Sequence, residues 1–479
     1  MRDNRIGPGR ALLAAAALTL LAVFVARAEG EVTAFVGATV IDGSGAAPLP
    51  EATVLVVGER IVAVAPRQAL ELPARARIVE VGGKWIIPGL VDAHIHLFQS
   101  GGAYTRPDII DLRAHRPYAE EVARVKARIE LTLARYLASG ITAVVDVGGP
   151  LWNFEVRARA ARAPLAPRVA VAGPLLATYA PPALAGADPP IVRIATPDEA
   201  RAEVRRQLLH DPDLIKIWFV FPARELGPEI AWVRAAVAES HAGGVRVVAH
   251  ATQRRVARAV IEAGVDVLAH SIDDGPVDDR LLALMKARDV VYTTTIVVKE
   301  GYREVLGLEV RLSDIERRLG DPEAIASFRD LETLSRRLLA WWLRPRPPPP
   351  LHPPLDPVVG ANLARVWARG ITVAAGSDAG NIGTLHGPAL HRELELMVAA
   401  GLTPAAVLVA ATRGGARVMG RDGDHGTLAP GKLADMVILD ADPLADIRNT
   451  RRIHLVVKGG RVLDPDEIMA RARAAHAAR

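Results

Sequence analysis

Short apolar runs alternate with longer amphipathic stretches through the middle of the chain. The runs predict buried strands of a parallel sheet, and the stretches between them predict helices that cross from one strand to the next. The predicted strands are Ile86–His94, Ile141–Val147, Arg168–Ala172, Leu214–Phe219, Val245–His250, Val265–His270, Val290–Thr295 and Ile371–Asp378. The predicted helices include Tyr118–Ser139, Pro197–His210, Pro228–Ala242 and Thr252–Ala263.

Eight such units predict an α/β fold that closes into a (β/α)8 TIM barrel over residues 86–415. An open doubly wound sheet is the alternative, but no glycine-rich phosphate loop follows the first strand. One connection, the insertion at 296–362, is far longer than a normal loop and contains RPRPPPPLHPPLDP. It predicts either a lid or binding loop or a stiff polyproline spacer.

Both ends of the mature chain carry shorter β-branched runs that are broken by turn residues. They lie in Val32–Ala65 and, near the C-terminus, in GKLADMVILDADP and RRIHLVVKGGRVL. Runs of this kind predict antiparallel strands. We expect residues 29–85 and 416–479 to form the two halves of one small β-sandwich domain.

The first 28 residues have the pattern of a secretory signal peptide. A basic segment precedes an apolar run over 11–26, and Ala26-Arg27-Ala28 fits a small-x-small cleavage site. The run is shorter than the ~20 residues that a membrane-spanning helix needs. We predict cleavage after Ala28 and a periplasmic protein with no stable membrane span. An uncleaved anchor that tethers the protein to the membrane is the alternative.

The amino-acid composition argues against several classes of protein function. The net charge of the 479 residues is +5, but residues 1–28 carry four arginines and one aspartate, so the remainder is close to neutral. This charge, with only 4% aromatic residues, offers no case for a nucleic-acid partner. Cysteine is absent, which excludes disulfides, thiolate ligands and a cysteine nucleophile. A metal ion would therefore bind histidine, carboxylate or a less usual ligand.

Polar side chains stand at the ends of the predicted strands. His94 and His96 follow one apolar strand and, at a period of two, leave the same face about 6.5–7 Å apart. His250, His270 and Asp378 end three later strands. Because the active sites of barrels lie at the carboxyl ends of their strands, these residues predict a metal site at that edge.

Lys216 lies in the apolar strand DLIKIWFVF, where a charged amine is costly unless it is paired or neutralised. Only seven of the 59 basic residues are lysine, so a lysine here suggests chemistry that arginine cannot supply. A buried lysine with a lowered pKa is nucleophilic. It can form a Schiff base or react with carbon dioxide to give a metal-bridging carbamate. The alternative is an ordinary ion pair with a nearby carboxylate.

Together these motifs resemble the amidohydrolase superfamily. The resemblance rests on PGLVDAHIH, the two later strand-end histidines, GSDAG and GKLADMVILDADPLADI, and it covers nearly the whole mature chain. DLIKIWF, VVAHATQ, LAHS and HGPALHRELELMVAAGLTP are similar to its imidazolonepropionase-like and prolidase-like branch. The resemblance implies a metal-dependent hydrolase with a distorted barrel.

The resemblance also implies a ligand set for two divalent metal ions. The implied ligands are His94, His96, Lys216, His250, His270 and Asp378. The first two bind the more buried ion, carboxylated Lys216 bridges the ions, and the two later histidines bind the second. Asp378 acts as acid and base, with His270 as the second catalytic residue. Imidazole and carboxylate ligands suit zinc.

The expected reaction is hydrolysis of a C–N bond by metal-activated hydroxide, with Asp378 passing the proton to the leaving nitrogen. A dipeptide or an N-acyl amino acid is the leading small-molecule substrate. The same ligands also suit cyclic amides, lactones or phosphotriesters. A non-catalytic envelope binding protein is the alternative of another class, and the intact ligand set argues against it.

Three further residues are predicted to bind substrate. Tyr179 follows the third strand and can donate a hydrogen bond to an oxyanion. Arg224 follows the fourth strand and can hold a substrate carboxylate. His386 follows the last strand and is expected to line the site.

Overall fold

The computed structural model describes residues 30–333 and 355–478. The predicted signal peptide and most of the proline-rich run lie outside these residues, so both stay predictions. None of the helices in the two described segments is long and apolar enough to cross a membrane.

The strands are numbered in chain order. Those before the first predicted metal ligand are β1 Val32–Val40, β2 Leu49–Val57, β3 Arg60–Pro66, β4 Arg77–Glu80 and β5 Trp85–Pro88. The central strands are β6 Leu90–Ile95, β7 Ile141–Asp146, β8 Arg168–Val171, β9 Leu175–Ala177, β10 Ile191–Arg193, β11 Leu214–Trp218, β12 Arg246–His250, β13 Val267–Ala269, β14 Val291–Thr294 and β15 Val373–Ala375. The C-terminal strands are β16 Met436–Leu439, β17 Ile453–Lys458 and β18 Arg461–Leu463.

The ten central strands that the structure describes run parallel, as the apolar runs predict, but they form two sheets rather than one. One has the order β6-β7-β8 and the other the order β10-β9-β11-β12-β13-β14-β15. Single parallel bridges join them at both ends, between Ala172 and Leu214 and between Ile95 and Ala379. These bridges join the two parallel sheets, and the second bridge lies at the carboxyl end of β6.

Helices connect these strands. They are α1 Tyr118–Ala127, α2 Ile129–Ala138, α3 Asn153–Arg162, α4 Pro197–Leu208, α5 Gly227–Ala242, α6 Arg254–Glu262, α7 Asp279–Ala287, α8 Ile296–Gly307, α9 Asp314–Leu319, α10 Pro322–Ser327, α11 Asp330–Thr333, α12 Pro357–Ala368, α13 Ala389–Ala399, α14 Pro404–Val409, α15 Gly415–Met419 and α16 Pro465–Ala477. Short 3-10 helices lie at Arg67–Ala69, Pro182–Leu184 and Ile447–Arg451, and a π-helical turn lies at Ala410–Gly414.

Two predicted elements are divided in the structure. The predicted helix Tyr118–Ser139 is two helices, because Arg128 leaves helical geometry with φ −108° and ψ 7°. The predicted strand Ile86–His94 spans β5 and β6, which belong to different sheets. Gly89 joins them, and a β-carbon there would lie 2.0 Å from Thr142 Oγ1, so only glycine permits this close approach.

The described part of the insertion at 296–362 is largely helical. It contains α8 to α11 and the beginning of α12. Apolar side chains of this part, including Val305 in α8 and Phe328 directly after α10, pack with Ile109 and Ile110 of the segment after β6 and with Leu385 after β15. This packing attaches the insertion to the carboxyl edge of the parallel strands.

Strands from both ends of the described chain share one eight-stranded sheet, in which β5 pairs with β1 on one side and with β16 on the other. The sheet order is β18-β17-β16-β5-β1-β2-β3, with β4 beside β1. The sheet curves, since the backbone at Glu59 and Ile61 bonds to Ala434 and Gly431. Strands from the two ends therefore pair within one sheet.

Candidate metal centre

The six predicted ligands all lie at or near the carboxyl ends of parallel strands. Lys216 is inside β11, His250 ends β12, and His270 directly follows β13. Asp378 comes three residues after β15. Because parallel strands end on the same side of a sheet, these side chains lie at one edge of it.

A bulge in β6 aims two histidines inward. Between Asp92 and Ile95, β6 has one more residue than the paired segment of β7. Ala93 packs in an interior cluster made mainly of strand residues, whereas Ile95 packs in the outer cluster beneath the helices. An extra residue reverses the alternation of a strand. His94 and His96 consequently lie on the interior side.

Three of the predicted ligands form a compact group that is suited to one metal ion. The ligand atoms of His94, His96 and Asp378 all lie within 4.8 Å of one another. Asp378 Oδ1 is 3.6 Å from His94 Nε2 and 3.3 Å from His96 Nε2. A β-carbon at Gly376 would lie 2.6 Å from that of His94, so a glycine there lets the end of β15 approach β6.

The other predicted ligands adjoin this group. The ring centroids of His94 and His270 are 4.6 Å apart, and those of His250 and His270 are 4.4 Å apart. His270 Nδ1 lies 3.9 Å from Asp378 Oδ2. Lys216 is fully buried, and its charge contributes to lowering the pKa of all four histidines.

Burial sets the protonation of these groups. It lowers the pKa of His96 and of His250 to about 3, and it lowers that of His94 and His270 well below the usual range. The imidazoles are therefore neutral, as metal ligation requires. Burial also lowers the pKa of Lys216 and raises that of Asp378.

Several buried ligand atoms have no hydrogen-bond partner among the described residues. They are Nδ1 and Nε2 of His94, Nδ1 of His250 and Nζ of Lys216. Buried polar atoms without partners are costly and uncommon in native proteins. Neutral imidazole nitrogens beside a carboxylate are the donor set that divalent transition metals prefer. The residues present thus fit a bound divalent ion.

Hydrogen bonds leave the correct nitrogen of His96 available. Its Nδ1 donates to the carbonyl oxygen of Gly148 over 2.7 Å, so Nε2 faces Asp378. The ring of His270 is held in turn by Thr295, whose Oγ1 lies 2.7 Å from Nδ1. Such contacts orient metal-binding imidazoles.

Two of the predicted ligands have a strained backbone, as do five other described non-glycine residues. His270 has φ 74° and Asp378 has φ 55°. Both are non-glycine residues in the left-handed region, which costs ~1–3 kcal/mol and persists only where the surroundings enforce it. Strain of this kind is often found at functional sites, and two of the seven strained residues are predicted ligands.

No described contact joins the three predicted substrate residues directly to a predicted ligand. Tyr179 is 41% exposed, and its ring contacts that of Phe221. Arg224 is exposed. His386 is buried, with Nδ1 2.7 Å from the Tyr136 hydroxyl and Nε2 2.7 Å from the Gln99 carbonyl. Both of its ring nitrogens are occupied by protein partners, and no contact supports a role in substrate binding.

The sequence did not predict two residues that contact the site, Ser377 and Asn381. Ser377 donates from its backbone nitrogen and its hydroxyl to Asp92, over 2.9 and 2.5 Å, which joins the segment after β15 to β6. Asn381 donates to the Asp378 carboxylate over 2.8 Å. Their only sequence signal is proximity to the ligands in PGLVDAHIH and GSDAGN, and proximity alone does not reveal a contact.

Known proteins resemble this chain in sequence and in fold. Residues 85–463 match the model of the amidohydrolase family. A dihydroorotase from Anaeromyxobacter dehalogenans is 32% identical over 122 residues, which are 23% of this chain and 28% of the relative. The match thus spans about a quarter of that curated relative.

Solved structures match over most of both chains. A protein from Bifidobacterium longum, provisionally described as a prolidase, is 25% identical and has a TM-score of 0.65, covering 92% of this chain and 99% of its own. A Xaa-Pro dipeptidase with bound methionine in its active site is 20% identical and has a TM-score of 0.67, covering 90% and 99%. The predicted enzyme family is confirmed: this chain belongs to the amidohydrolase family.

Proposed function

We propose that the protein is a metal-dependent hydrolase that cleaves the C–N bond of a dipeptide or an N-acyl amino acid. The observation that carries this proposal is the group of His94, His96 and Asp378, buried at the carboxyl edge of a parallel sheet. The same proposal includes closure of the parallel strands into a distorted (β/α)8 barrel and of the terminal sheet into a small sandwich.

In this proposal the histidines bind the metal ions and Asp378 transfers the proton. Divalent ions held by the histidines supply Lewis acidity and lower the pKa of water. Asp378 accepts the proton of the attacking water and delivers it to the leaving nitrogen. Burial raises the pKa of this carboxyl group, so it is a stronger base than an exposed aspartate. Buried surroundings exclude competing water and strengthen each electrostatic contact.

Lys216 is proposed as the carboxylated bridge between two ions, with zinc as the metal. Its amine is buried without a described hydrogen-bond partner, and burial lowers its pKa, which favours the neutral amine that reacts with carbon dioxide. We expect Lys216→Ala to reduce bound zinc from two equivalents to one. Lys299→Ala is the matched control, since Lys299 is 60% exposed and paired with Asp273. Equal zinc content in both variants would contradict the bridge.

The similar proteins support the substrate class. Two of the solved structures carry the descriptions prolidase and Xaa-Pro dipeptidase, which favours a dipeptide. The dihydroorotase relative favours hydrolysis of a cyclic amide as the second candidate. We also propose that the mature protein is periplasmic, because of the predicted signal peptide.

A hydrolysis screen tests the reaction. The chain from Glu29, purified with zinc and bicarbonate, is assayed for amine release from dipeptides and N-acyl amino acids and for ring opening of cyclic amides. Asp378→Asn is the control. Release from linear amides by the wild type alone supports the proposal, and ring opening alone selects the second candidate. A zinc-loaded protein that cleaves neither class would refute amide hydrolysis.

A further inference from the structure

Asn381 holds Asp378 through two contacts of one side chain. Its Nδ2 donates to Asp378 Oδ1 over 2.8 Å and to the backbone oxygen of Asp378 over 3.1 Å. Oδ1 is also the oxygen that faces His94 and His96. Because Asp378 is in the left-handed region, these bonds stabilise a strained conformation that the residue would otherwise leave.

Two donors fix the orientation of the Asn381 amide. Its Oδ1 accepts from Arg106 Nη1 over 2.5 Å and from the Tyr302 hydroxyl over 2.7 Å. With both donors on the oxygen, the amide nitrogen has to face Asp378. Arg106 is itself held by Asp108, to which Nε and Nη2 donate over 2.8 and 2.6 Å. This bidentate pair fixes the guanidinium plane and balances its charge.

The donors come from two segments that pack against each other. Arg106 lies in the segment after β6, and Tyr302 lies in α8, the first helix of the insertion. Tyr302 packs at the margin of a cluster that also holds Ile109, Val305 and Ile382. The insertion is thereby attached to the segment that contains Asn381.

We propose that Asn381 is a positioning residue for Asp378, and that the insertion completes this positioning through Tyr302. This inference rests on the proposed function in that Asp378 is taken as a metal ligand and proton carrier. It assigns a role to the described part of the insertion: the helix α8 supplies a hydrogen bond to the residue that orients the carboxylate.

Zinc affinity of the metal-free protein tests this inference without relying on catalysis. Asn381→Leu and Tyr302→Phe are titrated with zinc in competition with a chromophoric chelator. Tyr104→Phe is the matched control, since Tyr104 also links the segment after β6 to the insertion, donating to Asp330 over 2.8 Å. We expect Asn381→Leu to weaken zinc binding about 10- to 100-fold, Tyr302→Phe to weaken it less, and the control to leave it unchanged.

The rate constants supply a second readout on an active substrate. A positioning role predicts that kcat falls in both variants while KM stays within about twofold, because the carboxylate acts in the reaction rather than in substrate binding. Asn381→Gln, which keeps the amide but displaces it by one methylene, is expected to recover part of the zinc affinity that Asn381→Leu loses.

The outcomes separate the two proposals. Unchanged zinc affinity in folded Asn381→Leu and Tyr302→Phe, or an equal loss in Tyr104→Phe, would overturn the positioning role. If Asn381→Leu does not fold, Tyr302→Phe decides the matter, since it removes a single hydroxyl group. A wild type that binds zinc with the expected ranking of variants but hydrolyses no amide refutes the proposed function and leaves the positioning role standing.

Discussion

Two groups of buried histidines in this protein differ in what their ring nitrogens contact. In the helical layer, His391 has Thr450 Oγ1 2.9 Å from Nδ1 and the Ser139 oxygen 2.9 Å from Nε2. At the carboxyl edge of the strands, neither nitrogen of His94 has a hydrogen-bond partner among the described residues. Both residues are 1% exposed, so burial does not distinguish them.

The two groups differ in whether protein atoms form hydrogen bonds with the ring nitrogens. Burial lowers the pKa of His386 and of His391 to about 4 and lowers that of His94 well below its usual value, so all three rings are neutral. A neutral ring with two protein partners stabilises the packing around it. A neutral ring without partners is available to a metal ion. An available ring nitrogen, rather than burial of the histidine, therefore identifies the candidate ligand.

Removing the proposed proton carrier has the largest expected effect. Asp378→Asn keeps the shape of the side chain but removes its basicity, so we expect kcat/KM to fall by about 10²- to 10⁴-fold. Asp146→Asn is the control, because Asp146 is a buried strand-end carboxylate that already accepts from Asn153 over 2.5 Å. Steady-state kinetics measure both variants. An equal loss in the control would show that any buried strand-end carboxylate matters.

Replacing one histidine of each group by glutamine tests whether the two groups have different roles. We expect His94→Gln to weaken zinc binding by more than about 100-fold, since a ligand is lost rather than a supporting contact. We expect His386→Gln to leave zinc affinity unchanged and to lower the free energy of unfolding by about 1–3 kcal/mol, because buried partners lose hydrogen bonds. Zinc titration and urea unfolding measure the pair. The reverse pattern would make His386 the functional residue.

The buried histidines with two protein partners also predict how the free energy of unfolding depends on pH. The pKa of His391 is lowered from about 6.5 in the unfolded chain to about 4, mainly by burial, with Arg451 and Arg318 adding repulsion. Stability from this group is therefore complete above pH 6.5 and is lost as the pH falls to 4. The loss is about 3 kcal/mol.

Urea unfolding of the metal-free protein between pH 7.5 and 4 measures this loss. His391→Gln, which cannot titrate, is expected to show a shallower decline than the wild type over the same range. Parallel curves for the two proteins would mean that other groups cause the acid sensitivity.

The smallest effect is expected at the exposed rim. Tyr179 is 41% exposed, and its contact with Phe221 uses the ring rather than the hydroxyl. Tyr179→Phe should therefore change kcat by no more than about threefold, equivalent to an exposed hydrogen bond of about 0.5 kcal/mol. A loss of a hundredfold in kcat would instead restore the hydroxyl as the donor to an oxyanion.

Apolar runs predicted most of the central strands, because burial on both faces leaves an uninterrupted pattern, but they missed the short strands β9 and β10. The predicted strand Leu214–Phe219 is Leu214–Trp218 in the structure, and Val245–His250 is Arg246–His250. The pattern failed at Gly89, where residues on both sides are apolar although the chain passes from one sheet to another. Periodicity reports that a residue is buried and not which sheet buries it.

The amino-acid sequence by itself determined the alternation of strands and helices and the place of His94, His96 and Asp378 at strand ends, since both follow from local spacing. Only the tertiary structure decided which histidines keep a free nitrogen and which way the bulge turns them. It alone paired Arg106 with Asn381, 275 residues apart. Partners across such distances are chosen by packing of the whole chain, which local periodicity does not encode.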